Sequence, residues 1–202
     1  MVSEIWGIKL SFQYLIKVPN DRIGVLIGKN GKVKSEIEEK CKVQLEINSS
    51  SGEVIVSSSV EPPSEMQPFR AIEIISAISK GFSPQRANLL LRDEELIFQI
   101  VDLKEYAGKS TNTMDRLKGR IIGQGGKSRR TIEELSGVYI SVSGHTVALI
   151  GRFDEVKLAN DAITMILKGS THKTVYEMLQ QARRKNKLEK LRLWEKGDHG
   201  VD

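Results

Sequence analysis

The chain has 202 residues, 39% hydrophobic and 28% charged, with a formal net charge of +5 and an isoelectric point near 9.2. Its single cysteine, Cys41, excludes an internal disulfide and a zinc site built from several cysteines. No apolar run is long enough to cross a bilayer, and Glu4, Gly7 and Lys9 interrupt the first ten residues where a signal peptide would be apolar, so a cytoplasmic protein is expected.

Phe12 to Val18 is predicted to be a strand, because Phe12, Tyr14, Ile16 and Val18 alternate with Gln13 and Lys17. Pro19, Asn20 and Asp21 end it and offer caps for a short helix up to Leu26. A glycine tetrad, Gly28 to Gly31, leads into a second helix that runs to about Cys41 and places Val33, Ile37 and Cys41 on one face, which makes Cys41 a core thiol. Val43, Leu45 and Ile47 alternate with Gln44 and Glu46 as a half-buried strand does. Ser49 to Gly52 is turn chemistry, Val54 and Val56 form a third strand, and Pro62 and Pro63 break the chain. A longer helix is predicted from about Glu65 to Lys80, with Ala71, Ile74, Ile75 and Ile78 at i, i+3, i+4 and i+7. Ser83-Pro84 is an N-cap followed by proline at the first helical position, so a short connecting helix should run through Leu91.

The order then repeats. Leu96 to Leu103 is a predicted strand, residues 104–113 a loop, Asp115 to Ile122 a short helix, Gly126 to Ser136 a second helix and Val138 to Val142 a strand. Gly144-His145 turns the chain into Val147 to Ile150, and Asp154 is expected to cap a last helix with Val156, Ala159, Ile163 and Ile166 facing inward. The resemblance between halves is one of residues as well as order. Ile27-Gly28-Lys29-Asn30-Gly31-Lys32 is echoed by Ile122-Gly123-Gln124-Gly125-Gly126-Lys127, Ile37-Glu38-Glu39 by Ile132-Glu133-Glu134, and Lys80-Gly81 by Lys168-Gly169.

Each copy is therefore strand, helix, glycine loop, helix, strand, strand, helix, an α+β arrangement of about 75 residues. It resembles the KH domain, in the type I form whose extra helix comes last. The expected organisation is a first KH domain over 10–82, a connector over 83–94, a second KH domain over 95–170 and a basic helical extension over 171–202.

The KH resemblance implies that each copy holds about four nucleotides of single-stranded RNA between its GXXG loop and an apolar groove. The glycines let a phosphate approach the backbone, and the helix that follows offers free N–H groups and a partial positive charge. The candidate RNA-binding residues are Gly28, Lys29, Asn30, Gly31 and Lys32 in the first copy. In the second they are Lys118, Arg120, Gly123, Gln124, Gly125, Gly126, Lys127, Arg129 and Arg130. The second loop is expected to be the stronger site, because five basic residues surround it while Asp21, Glu36, Glu38 and Glu39 lie near the first. The groove is expected to pair Ile27 with Leu45, and Ile122 with Ile140.

Competing phosphate motifs fail on single residues. A P-loop ending at Gly126-Lys127-Ser128 needs glycine at 121, where Ile121 stands, and one ending at Gly108-Lys109-Ser110 meets Leu103 in that place. A dinucleotide fingerprint starting at Gly123 meets Ser128 where its third glycine belongs. His145, His172 and His199 are scattered and sit at no metal spacing. Neither a cofactor nor an enzymatic activity is expected.

Beyond Gly169 a further helix is predicted over Lys173 to Lys196. Val175, Met178, Leu179 and Ala182 give it a packing face, and Arg183-Arg184-Lys185, Lys187, Lys190 and Arg192 cover much of the rest. Its first half should dock on the second KH domain. Its second half should be an arm for phosphate or for a protein partner.

The stretch from Lys118-Gly119-Arg120-Ile121-Ile122-Gly123 through Glu133-Glu134 resembles the signature of the archaeal Dim-two-like proteins, whose eukaryotic relatives include the partner of the Nob-one endonuclease. The resemblance extends over nearly the whole chain, including the basic tail with Leu193-Trp194. It implies a role in small-subunit ribosome assembly at the 3′ region of the small-subunit rRNA. The implied partners are the rRNA-trimming endonuclease and the alpha subunit of translation initiation factor two. One departure concerns the first copy, whose GXXG is intact here and degenerate in eukaryotic relatives. The competing reading is a protein-interaction adaptor that uses KH folds as a scaffold.

Overall fold

The computed structural model describes the backbone of residues 12–58 and 67–197, and side chains within 13–58 and 68–189. The chain divides after Glu94 into two units. In the first, β1 (Phe12–Lys17), α1 (Asn20–Ile27), α2 (Lys32–Cys41), β2 (Gln44–Asn48), β3 (Glu53–Ser58) and α3 (Gln67–Ser79) follow the predicted order. The strands form an antiparallel sheet in the order β1-β3-β2, with Ile16 opposite Val54 and Leu45 opposite Val56. Alternation turns those four residues inward, where Leu26, Ile37 and Ile74 meet them in the core. Cys41 is fully buried there, and burial pushes its thiol up to about 11. Pro62, Pro63 and the predicted helix start at Glu65 lie outside the described residues.

The connector forms two short helices where one is predicted. Ser83 Oγ accepts from the Arg86 N–H at 3.4 Å and caps α4 (Pro84–Ala87), with Pro84 at its first turn. The chain bends at Asn88 into α5 (Leu89–Arg92). Ala87 and Leu90 are buried as both pieces pack on α3, so the connector is part of the first unit's fold.

The second unit contains β4 (Leu96–Asp102), α6 (Lys104–Ala107), α7 (Thr111–Ile122), α8 (Lys127–Ser136), β5 (Tyr139–Ser143), β6 (Thr146–Arg152) and α9 (Phe153–Leu167). Its sheet runs β4-β6-β5, antiparallel throughout. The predicted loop over 104–113 shrinks to residues 108–110. Asp102 Oδ1 accepts the Lys104 N–H at 2.9 Å and starts α6, and Ser110 Oγ accepts from Thr113 N at 3.3 Å and starts α7. The Ser and Thr residues that suggested a loop include a helix cap, and buried Leu103 and Ala107 anchor the turn between them. Asp154 does not cap α9. Glu155 does, reaching back to the Arg152 N–H at 3.0 Å.

The final helix, α10 (His172–Gly197), packs on α8 and α9 through Val175 and Leu179, both fully buried. Each such burial stabilises by roughly 1.5–3 kcal/mol. No helix among the described residues is long and apolar enough to cross a membrane.

Candidate nucleic-acid interface

The two glycine loops have the same backbone. Gly28 has φ 73° and ψ 174°, and Gly123 has 70° and 176°; Asn30 has φ 54°, and Gly125 has 56°. Gly31 and Gly126 are both left-handed, at φ 75° and 77°, and open α2 and α8. The first glycine of each loop is sterically required. A Cβ on Gly28 would lie 2.5 Å from Val33 Cγ2, and one on Gly123 would lie 2.7 Å from Ser128 Cβ. The later glycines face open space, with nothing within 4 Å of a Cβ at Gly31 or Gly125. Neither α2 nor α8 has an acidic residue in its first turn or a side-chain cap. Both start with a lysine, Lys32 or Lys127, at the end where the helix dipole favours anions. Both helices therefore open with unfavourable charge and with first-turn N–H groups that no side chain caps.

The basic residues around the loops divide into clamps, braces and exposed cations. Arg120 is a clamp. Its guanidinium donates to the Ile166 and Ser170 carbonyls, both at 2.7 Å, and ties α7 to the C-terminal end of α9. Arg22 does the same in the first unit, donating to the Ile78 and Phe82 carbonyls at 2.9 and 2.6 Å. The acceptors are equivalent between copies, but Arg22 corresponds to Leu117, one helical turn before Arg120. Arg129 is part of a brace. It lies 3.9 Å from Glu133, whose other oxygen accepts the Ile140 N–H at 2.8 Å. Lys34 lies 3.7 Å from Glu38, which accepts the Leu45 N–H at 2.8 Å. Each brace holds the free edge of its sheet against its second helix.

Lys118 pairs with Asp115 at 2.8 Å, and exposed Arg130 donates to the Gly125 carbonyl at 2.9 Å. Lys29, Lys32 and Lys127 are exposed and have no partner among the described residues. The structure thus weakens the charge argument for ranking the second loop first, since four of its five cations have partners within the protein. Leu45 and Ile140, expected in the groove, are 2% and 1% exposed and belong to the core. Ile27 and Ile122 are half-buried beside the loops and stay available as an apolar rim. Sequence reasoning did not find the two clamps or the two braces. The only signal for the braces was the repeated Lys34/Glu38 and Arg129/Glu133 spacing. Among the described residues no cluster of His, Cys, Asp or Glu could hold a metal ion.

Two tandem α+β units, each with a helix–GXXG–helix loop beside an antiparallel sheet, define a KH-domain protein. The match to family models is in two parts: residues 13–75 to the KH domain and residues 97–184 to the eukaryotic type KH-domain (KH-domain type I). A KH domain-containing protein of Methanocaldococcus jannaschii is 41% identical over 90% of this chain and 79% of its own. The pre-rRNA-processing protein pno1 of Schizosaccharomyces pombe is 26% identical over 83% of this chain and 69% of its own. Among solved structures, the a/eIF2alpha–aDim2p–rRNA complex of Pyrococcus horikoshii matches at a TM-score of 0.80 and 38% identity, over 87% of this chain and 96% of that one. The chain belongs to the Dim2/Pno1 family of tandem KH-domain proteins.

Proposed function

We infer that this protein is an RNA-binding factor of small-subunit ribosome assembly that holds single-stranded RNA from the 3′ region of the small-subunit rRNA. Its action is binding in the cytoplasm, and no catalytic step is assigned to it. The observation that carries this reading is the anion-ready loop built twice with the same backbone angles, in a chain of this family. The phosphate contacts are assigned to Gly28, Lys29, Asn30, Gly31 and Lys32, and to Gly123, Gln124, Gly125, Gly126 and Lys127, with Arg130 and Lys118 at the flank. Arg120 and Arg129 position the second loop and do not lead the contact. The solved relative bound to rRNA and a/eIF2alpha supports RNA and that subunit as partners. The rRNA-trimming endonuclease is proposed on family resemblance alone.

A KH cleft reads about four nucleotides, so one unit carries little sequence information. Two units in one chain raise each other's effective concentration. The test is a binding series with the 3′-terminal rRNA segment, each of its halves, a scrambled segment and a duplex. The intact segment should bind best and the duplex worst. Equal affinity for intact and scrambled segments would remove the rRNA assignment, and equal affinity for the duplex would favour the adaptor reading.

A further inference from the structure

The positive charge of this protein is concentrated in one place. Residues 183–196 contain seven of the 31 Lys and Arg residues and two of the 26 Asp and Glu residues, a net charge of +5. The rest of the chain holds 24 of each sign and is neutral. Two of those 24 acidic residues, Asp198 and Asp202, follow the helix, so residues 1–182 carry 24 basic and 22 acidic residues, and the densest positive charge of the chain lies in the second half of α10.

That half leaves the body of the second unit. α10 starts beside the second loop, where His172 Nε2 lies 2.8 Å from the Arg120 carbonyl. It passes the far end of α8, where Arg183 Nη1 donates to the Glu134 carbonyl at 3.5 Å. The helix then continues to Gly197, about 20 Å further at 1.5 Å per residue. Arg183, Arg184, Lys185 and Lys187 are exposed, and Leu188 is 57% exposed.

The charge is also arranged by face. Arg183, Lys187, Lys190 and Trp194 follow i, i+4, i+7 and i+11, one stripe with no acidic residue in it. Helical spacing assigns Lys185, Arg192 and Lys196 to the opposite side with Glu189, which is 3.9 Å from Lys185. An acid-free basic stripe with an aromatic residue in line suits the backbone and bases of single-stranded nucleic acid.

We propose that the Arg183–Lys187–Lys190–Trp194 face of α10 is a third RNA-binding surface, which takes the phosphate backbone of the strand as it continues beyond the second KH cleft. This rests on the RNA reading above and extends it from two sites to three. The GXXG loops contact the nucleotides in the clefts, and the arm contributes most of the long-range electrostatic attraction.

The test compares two triple variants of the full chain with equal charge change. One is Arg183→Gln, Lys187→Gln, Lys190→Gln; the other is Lys185→Gln, Arg192→Gln, Lys196→Gln. Glutamine keeps the helix propensity of lysine and arginine. Each is titrated with a single-stranded RNA of about five nucleotides, near the capacity of one cleft, and with one about four times longer. The first triple should lose at least tenfold affinity for the long RNA and less than twofold for the short one. Its salt slope on the long RNA should flatten by about two log–log units, at about 0.7 per single-strand phosphate contact. The second triple should lose less than a third as much. Equal losses from both triples would reduce the arm to unspecific charge and overturn the proposal. So would equal losses on both RNAs, or no loss, which would leave the arm to a protein partner. A wild-type chain that binds neither RNA would instead overturn the RNA reading beneath it.

Discussion

At the residue scale, each loop rests on the side chain under its first glycine. Val33 fills that place in the first unit and Ser128 in the second, where the residue is 4% exposed and its buried hydroxyl has no hydrogen-bond partner among the described residues. A buried hydroxyl without a partner costs about 1–3 kcal/mol. Ser128→Val removes it and restores a packing that the first unit already accommodates. The variant should gain about 1 kcal/mol and melt a few degrees higher, as calorimetry would show; a lower melting temperature would mean the second cradle is narrower than the first. The exposed loop positions tolerate substitution differently. Lys29, Asn30, Gln124 and Gly125 point to solvent, and aspartate is among the residues that accept the left-handed backbone of Asn30 and Gly125. Paired aspartates at Lys29/Asn30 and at Gln124/Gly125 should each weaken RNA binding about tenfold, the value of one charge-assisted contact. The two losses should agree within threefold, because the cations that favoured the second loop are largely engaged. A much larger loss at either loop would restore a ranking between them.

At the element scale, what could be read from the sequence depended on where each element's partners lie. The glycine tetrads, the strands and the packing faces were legible because their signals are local: alternation, helical spacing and turn residues. The same was true of the docked half of α10. The clamps were not, because Arg120 finds its acceptors 46 and 50 residues away on backbone carbonyls, which leave no side-chain signature. For the same reason Arg120 read as a phosphate ligand. Leu45 and Ile140 were misplaced in the groove because alternation tells which residues share a face, not which face meets the core. The docked half of α10 gives a prediction at this scale. Truncation after Ser170 removes Val175 and Leu179 and should destabilise the second unit by about 3–6 kcal/mol, the sum of two buried side chains. Truncation after Asn186 leaves both in place and should melt within about 2 °C of the full chain, inside the range of surface changes. Equal melting of the two truncations would show that α10 is not docked in solution.

At the scale of the whole molecule, the two units share a skeleton but their details have diverged. The same carbonyl pair at the end of the last helix is held by an arginine in each, but the arginine has moved one turn, from the position of Arg22 to that of Arg120. An alignment of the halves sets Arg22 against Leu117 and misses the equivalence. The loop, the brace and the clamp thus form one device used twice, while the connector and the long helix are used once.

The concentration of charge in the second half of α10 also bears on the order of events when the protein meets RNA. A helix this dense in positive charge gives its unit an uneven field, and a polyanion turns such a molecule before touching it. On the proposed arm, the basic helix should meet the strand first and the clefts should engage it afterwards. Encounter and retention then belong to different parts of the chain. In stopped-flow experiments, added salt should slow association steeply in the full chain and only weakly in the chain ending at Ala182. Aspartates in the loops should shorten the lifetime of the complex and leave the association rate within about threefold, as expected for contacts made after encounter. If the loop variants instead slowed association as much as loss of the basic helix, arrival and retention would share one site.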